Sequence, residues 1–147
     1  TPAQIESVAR VVELHDFIAG HPKGYKTLVG RGGINLEKEE LIRLNLARAL
    51  MTRPAVLTVD DTFAALEEDV EQRLREAVRR TLQRETVLIA TSRLAICEEA
   101  DMVIVMQKGR IAQTGTHLDL LGTPGLYRRM YMRQMGLDDV PRGKPEE

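Results

Sequence analysis

Three short apolar runs, separated by stretches with helical periodicity, constrain this chain more than any other feature. The runs are AVLTV (residues 55–59), TVLIAT (86–91) and MVIVM (102–106). Between the first two lies EEDVEQRLREAVRRTLQRE, where Val70, Leu74, Ala77, Val78 and Leu82 form one apolar face. Apolar strand, amphipathic helix and apolar strand joined by short connections predict an α/β unit with a mainly parallel sheet. The unbroken apolarity of TVLIAT predicts a strand covered on both faces. Glu71 with Arg75, and Glu76 with Arg80, stand four apart in the favourable order and predict a solvated helix face.

The flanking segments read from local signals. Ile5, Val8, Ala9, Val12 and Ile18 predict one amphipathic helix, closed by Gly20 and Pro22. HPKGYKTLVGRGGIN (21–35) is rich in glycine and predicts a loop with a short extended piece. Asn35 suits the N-cap of a following helix, in which Leu36, Leu41, Leu44, Ala47, Leu50 and Met51 recur at helical spacing. Arg53-Pro54 ends it. A short helix is expected over 94–100, QKGR (107–110) as a turn, and IAQ (111–113) as the returning arm of a hairpin. Thr116, with Asp119 three residues on, resembles a capping box. PGLYRRMYMRQM (124–135) predicts a last helix, docked through Tyr127 and Tyr131, and the polar tail 136–147 is expected to be disordered.

Composition narrows the function classes. A formal net charge of −1 gives no electrostatic case for binding nucleic acid or an anionic membrane. The longest apolar runs are about five residues, far short of the roughly 20 needed to span a bilayer. No secretory leader pattern opens the sequence. The lone Cys97 forms no internal disulfide and reads as a small packed hydrophobe. His15, His21 and His117 fall on different predicted elements, so a shared metal site is not expected. Ligands of parallel sheets sit beyond the carboxyl ends of the strands. Asp60 and Asp61 follow one such end and Ser92 follows the next, which favours a site there.

The order of segments now matters. GGINL before a helix ending LARAL, then AVLTVDD…AAL, TVLIATSRL, and AD.VIVM..GRI…GTH..LL…Y resembles the ATP-binding-cassette (ABC) domain of exporters over residues 1–134. The resemblance implies the second half of a RecA-like P-loop NTPase core plus an ABC-type helical subdomain. It implies a helical subdomain over 1–53, ending in the signature helix, and the C-terminal half of the core over 54–135.

Residue by residue, the family's motifs are altered. Leu57-Thr58-Val59-Asp60 matches the Walker B strand, which makes Asp60 the implied Mg²⁺ ligand, acting through water. The glutamate that should follow is Asp61, whose carboxylate falls about 1–1.5 Å short. Misplacement of that size can lower a rate about a hundredfold. The usual Ser-Ala-Leu-Asp loop is Ala64-Ala65-Leu66-Glu67, and the switch histidine is replaced by Ser92, which has no cationic form. The signature Leu-Ser-Gly-Gly-Gln, whose backbone N–H groups face a partner's γ-phosphate, is Leu36-Glu37-Lys38-Glu39-Glu40. Three carboxylates there repel phosphate. Thr27-Leu28-Val29-Gly30-Arg31-Gly32-Gly33 replaces a segment that touches membrane domains, with its acid and base exchanged for Arg31 and Gly32.

GHPKGYKT (20–27) is not a P-loop, because Gly24 is two residues before Lys26 and no strand precedes it. In the family the P-loop lies upstream of this stretch, so the resemblance implies a fragment or a truncated protein. ATP and Mg²⁺ are implied for the parent cassette, with neither expected on this chain alone. The implied partners are a second cassette in a head-to-tail heterodimer and an exporter's transmembrane domains, at the cytoplasmic face of the plasma membrane, with this chain itself soluble. The expectation is a catalytically degenerate cassette part. The alternative is a non-catalytic scaffold or regulatory module that binds a basic surface through residues 37–40.

Overall fold

The computed structural model describes residues 1–137, with the side chains of Thr62 and Ala64 outside the description. Most of the tail expected to be disordered, 138–147, lies outside the described residues. The chain divides into two units, Thr1–Ala90 and Thr91–Glu147.

In the first unit, α1 (Pro2–Val11) and α2 (His15–Ala19) replace the single helix expected from periodicity. Glu13 adopts φ +55°, and its N–H and that of Leu14 turn back to the carbonyls of Arg10 (3.1 Å) and Ala9 (2.8 Å). This is a left-handed helix C-cap with glutamate where glycine is usual. The carbonyl and carboxylate of Glu13 are held by Arg43 and Arg73, and Val12 and Leu14 are buried beside it.

The 28–34 loop closes through Gly30 N–H to the Ile34 carbonyl and Ile34 N–H to the Leu28 carbonyl, both at 2.9 Å. Gly33 is required there, since a Cβ would lie 2.0 Å from the Leu28 carbonyl oxygen. Val29 and Ile34 form a bridge, and Asn35 and Leu36 follow it outside any helix or strand. Helix α3 (Lys38–Met51) therefore starts later than the sequence predicts, with Glu37 rather than Asn35 at the N-cap. Its buried line is Ile42, Leu46 and Leu50, while Leu41 is 48% exposed. Apolar residues surround α3, so its periodicity admits two phases, and packing selects this one.

Strand β1 (Val56–Val59) pairs in parallel with β2 (Thr86–Ile89), and α4 (Glu68–Thr81) is the crossover between them. Val70, Leu74, Val78 and Leu82 of the expected face are buried, Leu74 completely, and they pack with α3 and β1 in one core. Glu71, expected on the solvated face, is only 4% exposed. It stands three residues before Leu74 and seven before Val78, which places it on the buried stripe. Glu76 and Arg80 do pair on the outer face, at 3.7 Å. Strand β2 is not covered on both faces as expected. Leu88 is 51% exposed and Val56 of β1 57%, so one face of the pair lies open.

In the second unit, a 3₁₀ turn (Leu94–Glu99) precedes β3 (Val103–Gln107), β4 (Arg110–Gly115), α5 (His117–Gly122) and α6 (Leu126–Gln134). MVIVM does not join the β1–β2 sheet. It pairs antiparallel with β4, across a turn where Lys108 and Gly109 have φ +50° and +73°. Positive φ at both central residues matches the twist of a two-residue hairpin. The capping box forms, with the Thr116 hydroxyl accepting from Asp119 N–H at 3.2 Å. Tyr127, 1% exposed, centres a core with Leu94, Val103, Val105 and Leu120.

Candidate functional site

The parallel pair puts the carboxyl ends of β1 and β2 level, since Val59 pairs with Ile89 and Ala90 N–H donates to the Val59 carbonyl at 2.8 Å. Asp60 and Asp61 follow directly, both exposed. A 3₁₀ turn (Asp61–Ala65) leads them away from the strand, anchored by the buried Phe63 and Leu66, whose backbones hydrogen-bond at 2.9 Å. Glu67 then caps the start of α4 without a side-chain bond. Asp60 thus has a fixed root and an exposed carboxylate. One such aspartate fits Mg²⁺, which keeps most of its own waters. No group of three or more His, Cys, Asp or Glu side chains that could cage a metal is found among the described residues.

Ser92 lies in the second unit, exposed, two residues beyond Ala90. Its carbonyl accepts from Gln134 Nε2 at 3.0 Å, and Leu94 N–H donates to Gln134 Oε1 at 2.6 Å. Sequence reasoning missed Gln134. The signal was present: Tyr127, Tyr131 and Gln134 are spaced four and three apart, on one face of α6.

The residues at the start of α3 are not a loose charged patch. Glu39 Oε1 accepts from Arg43 Nη2 at 2.5 Å. Arg43 Nη1 donates to the Glu13 carbonyl at 2.7 Å, and Arg73 links the Glu13 carboxylate (3.0 Å) to Asp69 (2.8 Å). Hydrogen bonding to Arg73 holds the Asp69 carboxyl below its usual range. Glu40 Oε2 is buried with no hydrogen-bond partner among the described residues. Glu37 occupies the N-cap and Lys38 opens the helix. Glu37, Glu39 and Glu40 stand at the N-cap and in the first turn, at the positive end of the helix dipole.

The histidines meet aromatic rings. His15 Nδ1 lies 2.9 Å from Tyr25 Oη, His117 Nδ1 lies 2.8 Å from Tyr127 Oη, and His21 meets Phe17 edge to face. Cys97 is partly buried against Tyr127, and burial pushes its thiol above the usual range. A mainly apolar cavity of about 320 Å³ opens between α1, α2, the following loop and α3. Ile5, Phe17, Tyr25, Leu44 and Met51 line it, and none of the expected site residues does.

These features define the second half of a RecA-like core together with an ABC-type helical subdomain. Comparison with known proteins agrees. No protein-family model matches the chain. The multidrug resistance-like ATP-binding protein MdlA of Escherichia coli (strain K12) is 39% identical over 99% of this chain. An uncharacterized ABC transporter ATP-binding protein, YfiB of Bacillus subtilis (strain 168), is 35% identical over 90% of it. The solved structure of a bacterial Atm1-family ABC exporter with ATP bound superposes with a TM-score of 0.83 over 98% of the chain, at 33% identity. The chain belongs to the ABC transporter family, among its exporters, and corresponds to part of the ATP-binding cassette. It spans 25% of the first relative, 23% of the second and 24% of the solved exporter chain. No helix among the described residues is long and apolar enough to cross a membrane.

Proposed function

We propose that this chain is the C-terminal part of an exporter's ATP-binding cassette in which the machinery of hydrolysis is degenerate. The observation that carries the reading is the start of α3. Glu39 is tied to Arg43 and Glu40 is partly buried, so carboxylates are built into the helix end where the family presents N–H groups to phosphate. Asp60 holds Mg²⁺ through water in the parent cassette. Asp61 orients the attacking water from too short a side chain, and Ser92 supplies one hydrogen bond where a histidine would supply charge. ATP and Mg²⁺ belong to the assembled transporter, and this chain alone binds neither.

The partners are a second cassette, head to tail in a heterodimer, and transmembrane domains. Asp60 and Asp61 serve one composite site, and residues 37–40 serve the other. The exposed Leu28 and Val29 of the glycine loop suit contact with the membrane domains, and the exposed Val56 and Leu88 of the sheet suit the rest of a RecA-like core. The assembly sits at the cytoplasmic face of the plasma membrane. The alternative, a scaffold that binds a basic surface through residues 37–40, is less favoured because Glu39 already has its cation within the chain.

The test is hydrolysis. The purified chain is expected to show no Mg²⁺-dependent ATP turnover, and robust turnover abolished by Asp60→Ala overturns the reading. In the transporter that contains it, Asp61→Glu with Ser92→His is expected to raise turnover at that composite site, by up to about a hundredfold. An unchanged rate counts equally against it.

A further inference from the structure

The geometry points to Gln134, on α6, as a positioning residue for the segment that carries Ser92. The inference deepens the proposed function, because it rests on Ser92 standing at the switch position. The Gln134 side-chain amide grips the backbone on both sides of Arg93. Its Nε2 donates to the Ser92 carbonyl at 3.0 Å, and its Oε1 accepts from Leu94 N–H at 2.6 Å. A carboxamide offers a donor and an acceptor side by side, so one group can satisfy a carbonyl and an N–H of the same chain segment. Two contacts fix both the position and the direction of the peptide groups flanking Arg93. One contact would leave the segment free to pivot.

Residues 90–93 belong to no helix or strand. Arg93 N–H goes to the Thr91 hydroxyl at 3.0 Å, so consecutive amides are satisfied by side chains rather than by a ladder. Two side chains thus hold the amides of Arg93 and Leu94, and one of them comes from 40 residues away. That side chain is itself firmly based. Tyr127 N–H donates to Gln113 Oε1 at 2.8 Å, the Tyr127 hydroxyl meets His117, and the Tyr131 hydroxyl donates to Glu98 at 2.5 Å. Two residues on one face of α6, Tyr127 and Tyr131, thus reach β4, α5 and the 3₁₀ turn, and a third, Gln134, reaches the switch segment. A displacement of α6 is passed to the backbone of Ser92 by Gln134.

The test uses the full 147-residue chain and two variants. Gln134→Met keeps the shape and removes both bonds. Gln134→Glu keeps the acceptor for Leu94 and replaces the donor to Ser92. Amide hydrogen exchange is read by NMR at Leu94, with Val105 and Leu120 as references in the same unit. In Gln134→Met, Leu94 is expected to exchange roughly five- to tenfold faster, the factor expected for one ordinary hydrogen bond, while both references keep their rates. In Gln134→Glu, Leu94 is expected to keep its protection and the Ser92 and Arg93 amide resonances to move. Unchanged exchange at Leu94 in Gln134→Met overturns the inference. So does equal acceleration of all three amides, which would make Gln134 a support of the whole unit, and so does loss of Leu94 protection in Gln134→Glu. No nucleotide is present, so a failure here is separate from a failure of the nucleotide reading, which the ATP assay alone decides.

Discussion

Replacing residues 37–40 with the family's Ser-Gly-Gly-Gln tests whether the carboxylates at the start of α3 are part of the fold. The substitutions fall on the N-cap and the first turn. Glycine at positions 38 and 39 costs roughly 0.5–1 kcal/mol each in backbone entropy. Loss of Glu39 releases Arg43, whose side chain is only 12% exposed and whose Nε is already buried without a hydrogen-bond partner among the described residues. Arg43 keeps the Glu13 carbonyl at 2.7 Å and a carboxylate oxygen at 3.6 Å, so this loss is about 1 kcal/mol. Losing three acids and one lysine at the positive end of the helix, two negative charges net, removes roughly another 0.5–1 kcal/mol. Against this, serine at the N-cap, where Glu37 makes no side-chain bond, restores about 1 kcal/mol, and glutamine three residues on completes a capping box. The net expectation is destabilisation by about 2 kcal/mol, or roughly 4–8 °C in Tm. Far-UV circular dichroism during urea and thermal unfolding measures it. The single change Glu37→Ser should stabilise by about 0.5–1 kcal/mol. A four-residue variant as stable as the parent would refute the claim that Glu39 is built into the fold.

Three further outcomes follow from the structure. Leu74→Ala, at a completely buried position of the unit-one core, should cost about 2–5 kcal/mol by urea unfolding. Gly33→Ala forces a Cβ into the Leu28 carbonyl, so amide exchange at Gly30 and Ile34 should accelerate sharply while α4 keeps its protection. The Asp119 carboxyl is held below its usual value of 3.8, first by the Thr116 hydroxyl and then by the Thr116 N–H. Its contribution to stability is therefore complete above pH about 4 and is lost as pH falls through its lowered value, and Asp119→Asn should flatten that acid dependence, read by NMR titration of α5.

The parts of the fold that were legible in the sequence are those specified locally. The Lys108-Gly109 turn, the Thr116–Asp119 cap and the apolar line of α4 each depend on residues within a few positions of one another. The parallel β1–β2 pair followed from the strand–helix–strand order, and Asp60 and Asp61 stand at its carboxyl end as read. What escaped depends on distant partners. The break between α1 and α2 places a glutamate in a left-handed conformation, held by arginines 30 and 60 residues away. No periodicity rule could see that. Glu71 reads as solvated from its charge and its spacing to Arg75, while its position on the stripe of Leu74 and Val78 buries it. Strand β2 reads as covered on both faces, yet Leu88 is half exposed. At the candidate site, the sequence marked residues 37–40 as altered but not that Arg43 engages Glu39. It also gave Ser92 without Gln134, since spacing along α6 shows a shared face but not what that face meets.

The most direct test of the central claim is a titration of the purified chain with Mg²⁺ and a fluorescent ATP analogue, with unlabelled ATP as competitor. A cassette part whose signature position carries three glutamates should show no saturable binding. Saturable, competitive binding in the micromolar range would mean that these residues still form a phosphate site, and it would contradict the degenerate-cassette account.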